Sequence, residues 1–112
     1  MKNIMIKLFK LQNMNKGWFI GNFQPSVLTT KEFEVGVKYY NKGDKELSHF
    51  HKIATEITVV ISGKVIMCEK EFQKGDIILL EPETATSFEA IEDTITVVVK
   101  LPSILDDKYL TK

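Results

Sequence analysis

The chain has 112 residues, 44% of them hydrophobic and 27% charged, with 15 Lys plus Arg set against 15 Asp plus Glu. That length suits one domain with one modest core, and that composition suits an ordinary soluble protein. Balanced charge without a single-sign block excludes an electrostatic footprint for nucleic acid or an anionic membrane, and apolar runs such as TVVI and IILL are too short to span a bilayer.

The opening, MKNIMIKLFKLQNMNKG, breaks its apolar residues with Lys7 and Lys10 and lacks the unbroken apolar segment of a secretory signal. From Gly17 onward, short runs rich in Val, Ile, Thr and aromatics follow one another: GWFIGNF (17–23), EFEVGVKYY (32–40), TEITVVI (55–61), KVIMC (64–68), DIILL (76–80) and TITVVVKL (94–101). Gly, Asp, Asn and Pro bound them, which predicts an all-β sandwich or barrel. At most the first fifteen residues or the tail SILDDKYL could form a short helix. PETATSFEAIED reads as a loop and strand edge. Trp18, Phe19, Tyr39 and Tyr40 read as core or dimer contacts, with the mouth of a pocket as the alternative. The one cysteine, Cys68, cannot form an internal disulfide, so a reduced, cytoplasmic protein is expected. Its place in the apolar run VIMC predicts a buried, inert thiol.

ITVVI and TVVVKL are apolar on both faces of the strand, whereas a sheet with one wet face alternates. The outer face therefore needs a cover: another sheet, the N-terminal segment or a second copy. A homodimer is the expectation.

Both histidines of the chain lie in SHFHK. Residues two apart on a strand share a face, so an extended SHFHK projects His49 and His51 together and Phe50 away. Glu56, five residues after His51, has the wrong parity for that face on an unbroken strand. It joins the pair only if the chain turns within KIAT, on a neighbouring strand. Two His and one carboxylate form a set used for zinc or non-haem iron, with positions left open for water or substrate. The competing reading is two polar residues on a wet face.

The stretch GDKELSHFHKIATEITVVISG resembles the first signature of the cupin superfamily, G-x5-H-x-H-x4-E-x6-G, with Gly43, His49, His51, Glu56 and Gly63 at matching places. The resemblance implies a double-stranded β-helix, or jelly-roll β-barrel, with ligands inside it. It covers about residues 30–101 of a single 1–112 domain and leaves segment 1–29 to add a strand or a dimer contact. The second signature, G-x5-P-x-G-x2-H-x3-N, is degraded. Gly75 matches, but Glu81, Glu83, Thr86 and Ala90 stand where Pro, Gly, His and Asn belong. A one-residue shift restores Pro82 and puts Ser87 at the histidine place. The fourth ligand is therefore missing, with water on Thr86 or Ser87, or a carboxylate from Glu81 or Glu83, as substitutes.

Three readings follow. In the first, His49, His51 and Glu56 bind a divalent metal ion (Zn, Fe, Mn or Ni) beside a small anionic or sugar-like ligand. In the second no metal is bound, and His49 and His51 serve as acid and base in a sugar or sugar-nucleotide isomerase or epimerase. Imidazole titrates near neutral pH, which suits that task, and HFHK resembles the H-x-H-K of the isomerases. In the third the chain is a non-enzymatic ligand-binding or structural cupin.

Overall fold

A computed structural model describes residues 5–111. Ten strands follow in chain order: β1 (Trp18–Ile20), β2 (Glu34–Tyr40), β3 (Lys45–His51), β4 (Thr55–Ser62), β5 (Lys64–Met67), β6 (Lys70–Gln73), β7 (Ile77–Leu80), β8 (Thr86–Ala90), β9 (Thr94–Leu101) and β10 (Lys108–Leu110). They form two five-stranded sheets, ordered β1-β2-β9-β4-β7 and β10-β3-β8-β5-β6, and every named pairing is antiparallel. From β2 to β5 the chain changes sheet at each strand, and it does so again from β6 to β9. This is the all-β jelly roll implied by the sequence resemblance. β1 extends one sheet at its β2 edge, and β10 extends the other at its β3 edge.

The inward residues change character along the strands. On β4 they run Glu56, Thr58, Val60; on β8, Thr86, Phe88, Ala90. One end of the barrel is therefore filled by Val60, Val65, Met67, Ile78, Leu80, Phe88 and Ala90, with Tyr40 and Phe72 packed against them. The other end has polar walls. At the β4–β5 corner Gly63 has φ +91°, and a Cβ there would collide with the Asp93 carbonyl and the Thr94 hydroxyl. Only glycine combines that angle with that approach.

Several elements depart from the sequence expectation. Cys68 is exposed, not buried. Met67 pairs with Lys70, so Cys68 and Glu69 form a two-residue hairpin turn with φ +51° and +62°. Both angles positive is the geometry that suits strand twist, and it takes the thiol out of the apolar run. TSFEA is an internal strand, paired with both β3 and β5. Its inward alternation goes through Thr86 and Ala90, residues too weakly apolar to signal it. The tail forms β10 rather than a helix: Tyr109 pairs with Phe50, stacks on its ring at 5.5 Å, and lies beneath the Lys52 ammonium. Near the N-terminus a three-residue 3-10 turn, Leu11–Asn13, is the only helical element among the described residues. Residues 1–4 of the expected N-terminal helix lie outside the described part. No helix among the described residues is long and apolar enough to cross a membrane.

Leu80 points into the filled end and Ser87 into solvent. Leu80→Ala should cost about 2–5 kcal/mol in denaturant unfolding. Ser87→Ala should stay within about 0.5 kcal/mol. Equal costs would contradict the assigned faces.

Candidate functional site

The polar end encloses a cavity of about 380 Å³, whose walls include His49, His51, Glu56, Thr86, Thr96, Lys38 and Lys100. Both imidazoles are buried and meet edge to face, with ring centroids 5.6 Å apart. The chain turns between His51 and Thr55, and Glu56 then enters from the opposite sheet rather than from an adjacent strand of the same sheet. His51 Nε2 lies 3.6 Å from Glu56 Oε1.

The turn is built around Asp107, fifty-odd residues downstream. Its buried carboxylate accepts the N–H groups of Lys52, Ile53 and Ala54 at 2.9–3.2 Å. The Asp107 carbonyl accepts the Nδ1 proton of His51 at 3.0 Å, and the Leu47 carbonyl accepts that of His49 at 2.9 Å. A carbonyl can only accept, so both Nδ1 atoms carry a proton. In the neutral ring each Nε2 then holds a free lone pair. Burial pushes the Asp107 carboxyl up, but the N–H groups of Ala54, Ile53 and Lys52, with His51 nearby, outweigh it and hold the group below its ordinary value.

The electrostatics on the first sheet run in a row. Glu34, Lys100 and Glu56 are register partners across β2, β9 and β4. Lys100 Nζ stands 3.7 Å from Glu34 Oε1. Burial raises the Glu34 carboxyl, and Lys100 and His51 offset part of the rise. Trp18 lies against Gly36, where a Cβ would come within 2.8 Å of the indole. Lys38 and Lys100 flank that ring at 5.2 and 5.6 Å from its centroid. Lys38 makes no salt bridge among the described residues, and its ammonium donates to the Lys16 carbonyl at 2.7 Å. Burial holds that ammonium below its ordinary value; Glu46 works against the shift, while Lys16, Lys108 and Lys100 add to it. Tyr40 donates to Glu46 at 3.0 Å, and burial plus that carboxylate push its hydroxyl far up, so it remains a proton donor.

Thr86 lies opposite His49 on β8 and faces the cavity, as the strict register of the degraded signature places it. Its hydroxyl is already engaged: it accepts from Cys68 N–H at 3.0 Å and donates to the Ser87 carbonyl at 2.7 Å. Ser87, Glu81 and Glu83 are exposed and do not line the cavity, so none of them substitutes for the missing histidine. Of the aromatics, Trp18 and Tyr40 line it, whereas Tyr39 is on the outer face. The sequence carried no signal for Asp107, and Lys38 read as one surface cation among many.

No family model matches the chain, and no curated protein aligns with it. Solved structures do. An uncharacterized conserved protein with a double-stranded β-helix domain from Klebsiella pneumoniae is 21% identical over 98% of each chain, with TM-score 0.71. KdgF from Halomonas sp. is 18% identical over 69% of this chain and 76% of that one, with TM-score 0.64. A sugar phosphate isomerase of the cupin superfamily from Silicibacter pomeroyi is 20% identical over 62% of this chain and 50% of that one, with TM-score 0.58. The chain has the cupin fold.

Whether the donors of the chain suit a metal ion can be tested on their spacing. Two ligands of one ion, at bonds near 2.1 Å, stand about 3.0–3.4 Å apart. His51 Nε2 and Glu56 are close to that, and a histidine tied at Nδ1 to a carbonyl presents the tautomer that metals take. His49 does not complete a closed three-ligand cluster with them among the described residues. For the three to share an ion, His49 would have to turn toward the pair.

Asp107 positions His51 without itself lining the cavity. Asp107→Ala should cost about 2–4 kcal/mol, because it strands three N–H groups of the turn. The carboxyl is held below the ordinary aspartate value of 3.8. Its contribution is therefore complete above that value and is lost as pH falls through the lower, folded value. Urea unfolding at stepped pH should show wild type losing stability below about pH 4 and Asp107→Asn losing less. Parallel curves would refute this role.

Proposed function

We propose that this cupin binds a small anionic or sugar-like molecule in the polar end of its barrel, beside a divalent cation held by His49, His51 and Glu56. One observation carries the reading. The Nδ1 proton of His51 is committed to a carbonyl, so in the neutral ring an Nε2 lone pair faces a carboxylate oxygen at 3.6 Å in a buried site. Two acceptors face each other favourably only with a positive centre between them, either a metal ion or a proton. A bound ion would act there as a Lewis acid toward a ligand oxygen. The protein's own groups do the rest. Four lysines (Lys16, Lys38, Lys100 and Lys108) line the cavity, against Glu46 and Glu56 in its wall and Glu34 beside Lys100. Lys16 and Lys38 make no ion pair among the described residues, and Lys38, the more buried of the two, is the cation we assign to an anionic group. Thr96 Oγ1, buried and without a hydrogen-bond partner, offers a site for a ligand hydroxyl. The volume suits one small molecule.

The same contact supports a second reading, in which a proton takes the place of the ion. His51 and Glu56 then form an acid–base pair facing the cavity, as a metal-free sugar isomerase requires. The likeness to a sugar phosphate isomerase makes sugar phosphates the first compounds to try.

Melting of chelator-treated protein separates the two. Metal at a hundred times its Kd adds about 2.7 kcal/mol. That is ten degrees or more for a domain of this size, at about 4–8 °C per kcal/mol. His49→Ala and Glu56→Gln should abolish the rise. If zinc, manganese, nickel and ferrous iron all leave the midpoint in place, the metal reading fails. Solvent-hydrogen exchange next to the carbonyl of sugar phosphates then becomes the assay. Independently, Lys38→Met should weaken an anionic ligand by about 10–100-fold in calorimetry, the worth of one charged hydrogen bond. Unchanged affinity would place the anion elsewhere.

A further inference from the structure

An open groove of about 780 Å³ adjoins the polar cavity, with Leu11, Met14, Val37 and Tyr39 in its walls beside the exposed Gln12. Lys16, Lys38, Tyr40 and Glu46 line both spaces. These residues form a partition. On its inner side stand imidazoles, a carboxylate and hydroxyls; on its outer side the groove has no charged side chain of its own.

The groove follows from the way the N-terminal segment meets the first sheet. β1 pairs with β2 at Val35 and Gly36, and the Gly17 carbonyl accepts the Val37 N–H at 3.0 Å. Past Val37, that side of β2 has no partner strand among the described residues. The chain reverses there: Lys16 and Gly17 have φ +52° and +85°, and the Trp18 N–H donates to the Asn15 carbonyl at 3.0 Å. Two positive φ angles in succession make a tight hairpin turn. A Cβ at Gly17 would strike the Val37 carbonyl, so the turn sits directly on the β2 edge. Leu11 and Met14, both half-buried, precede the turn and face the same space as Val37 and Tyr39.

The partition is held by two hydrogen bonds. The Lys38 ammonium donates to the Lys16 carbonyl at 2.7 Å, and the Tyr40 hydroxyl donates to Glu46 at 3.0 Å. Glu46 also faces Lys108 at 3.9 Å, whereas Lys16 and Lys38 make no ion pair among the described residues. The partition therefore carries surplus positive charge. A molecule that crosses it meets polar walls, then cations, then an apolar wall.

We infer that the ligand spans both spaces: a phosphodiester whose hydroxylated, sugar-like side occupies the cavity, whose phosphate lies at Lys16 and Lys38, and whose uncharged alkyl or aryl side lies in the groove between Met14 and Tyr39. The inference rests on the proposed binding of an anionic ligand in the cavity and extends it. A carboxylate or a phosphate monoester ends a molecule at its charge. A phosphodiester keeps one charge with a substituent on each side, which suits a cationic partition between unlike spaces. The outer substituent is uncharged because an ion placed against Leu11, Met14 and Val37 would lose water without gaining a partner.

Calorimetry of the full chain with the methyl and phenyl esters of glucose 6-phosphate tests this, since both carry one charge on the phosphate. The phenyl ester should bind at least about ten-fold more tightly, from the apolar area of a ring lodged in the groove. The paired variant Met14→Gln with Tyr39→Ala should bring the two esters within about three-fold of each other and leave the methyl ester within about two-fold of its wild-type affinity. Circular dichroism and melting check its fold, and Tyr39→Ala alone, at a side chain 66% exposed, should lose part of the gain without disturbing the sheet. A methyl ester that binds as tightly as the phenyl ester overturns this inference and leaves the cavity reading standing. So does a phenyl gain that survives both variants, because the ring then lies elsewhere. Binding of neither ester overturns both.

Discussion

The carboxylate of Asp107 accepts three consecutive N–H groups of the β3–β4 turn, and its carbonyl takes the Nδ1 proton of His51. The rest of the site depends on this junction. The turn carries the chain from one sheet to the other in a few residues, which is what brings His51 and Glu56 face to face. The Glu83 N–H holds the same point from the β7–β8 loop, donating to the His51 carbonyl. Three segments distant in sequence thus meet at His51 and the turn that follows it. Such a junction over-determines the imidazole, so its orientation is set before any ligand arrives.

How much of this was legible depended on range. Strand parity is a local property, so the shared face of His49 and His51 followed from two-residue spacing alone. The need for a turn before Glu56 followed from its odd offset. The all-β class was readable because dense β-branched runs bounded by turn residues mark a sandwich or barrel, and the jelly roll within it followed from the resemblance of residues 43–63 to the cupin signature. What stayed hidden was non-local or weakly coded. Asp107 sits in a tail whose composition reads as polar and helical, and only the folded chain brings it beside residue 53. β8 alternates through Thr86 and Ala90, which scarcely register as a buried face. Cys68 was misplaced because hydrophobicity does not mark where a hairpin reverses; the positive φ angles at Cys68 and Glu69 do. Lys38 shows its character only beside the ring of Trp18 and at the cavity wall.

The two ends of the barrel differ in packing and in polarity. The filled end has tight apolar packing, with Val60, Val65 and Ala90 fully removed from solvent. The other end keeps features that destabilise a fold: an unpartnered Thr96 hydroxyl, a raised Glu34 carboxyl, a half-buried Lys38 ammonium below its ordinary value, and an imidazole facing a carboxylate. An isolated buried polar group costs about 1–3 kcal/mol. Three of these features line the cavity and Glu34 stands beside it, a poor way to fill a barrel that Val and Leu could fill. Under the proposed function they are groups that await counterparts: a cation between His51 and Glu56, an anion at Lys38, and a hydroxyl at Thr96. A single small ligand with a charged end and a hydroxylated body could meet the last two while the first is met by a metal ion or a proton. The missing fourth histidine fits the same logic. With Thr86 already bonded to Cys68 and Ser87, the β8 wall supplies shape rather than another ligand atom. Under the proposed metal reading, the coordination left open by that loss would be available to a ligand.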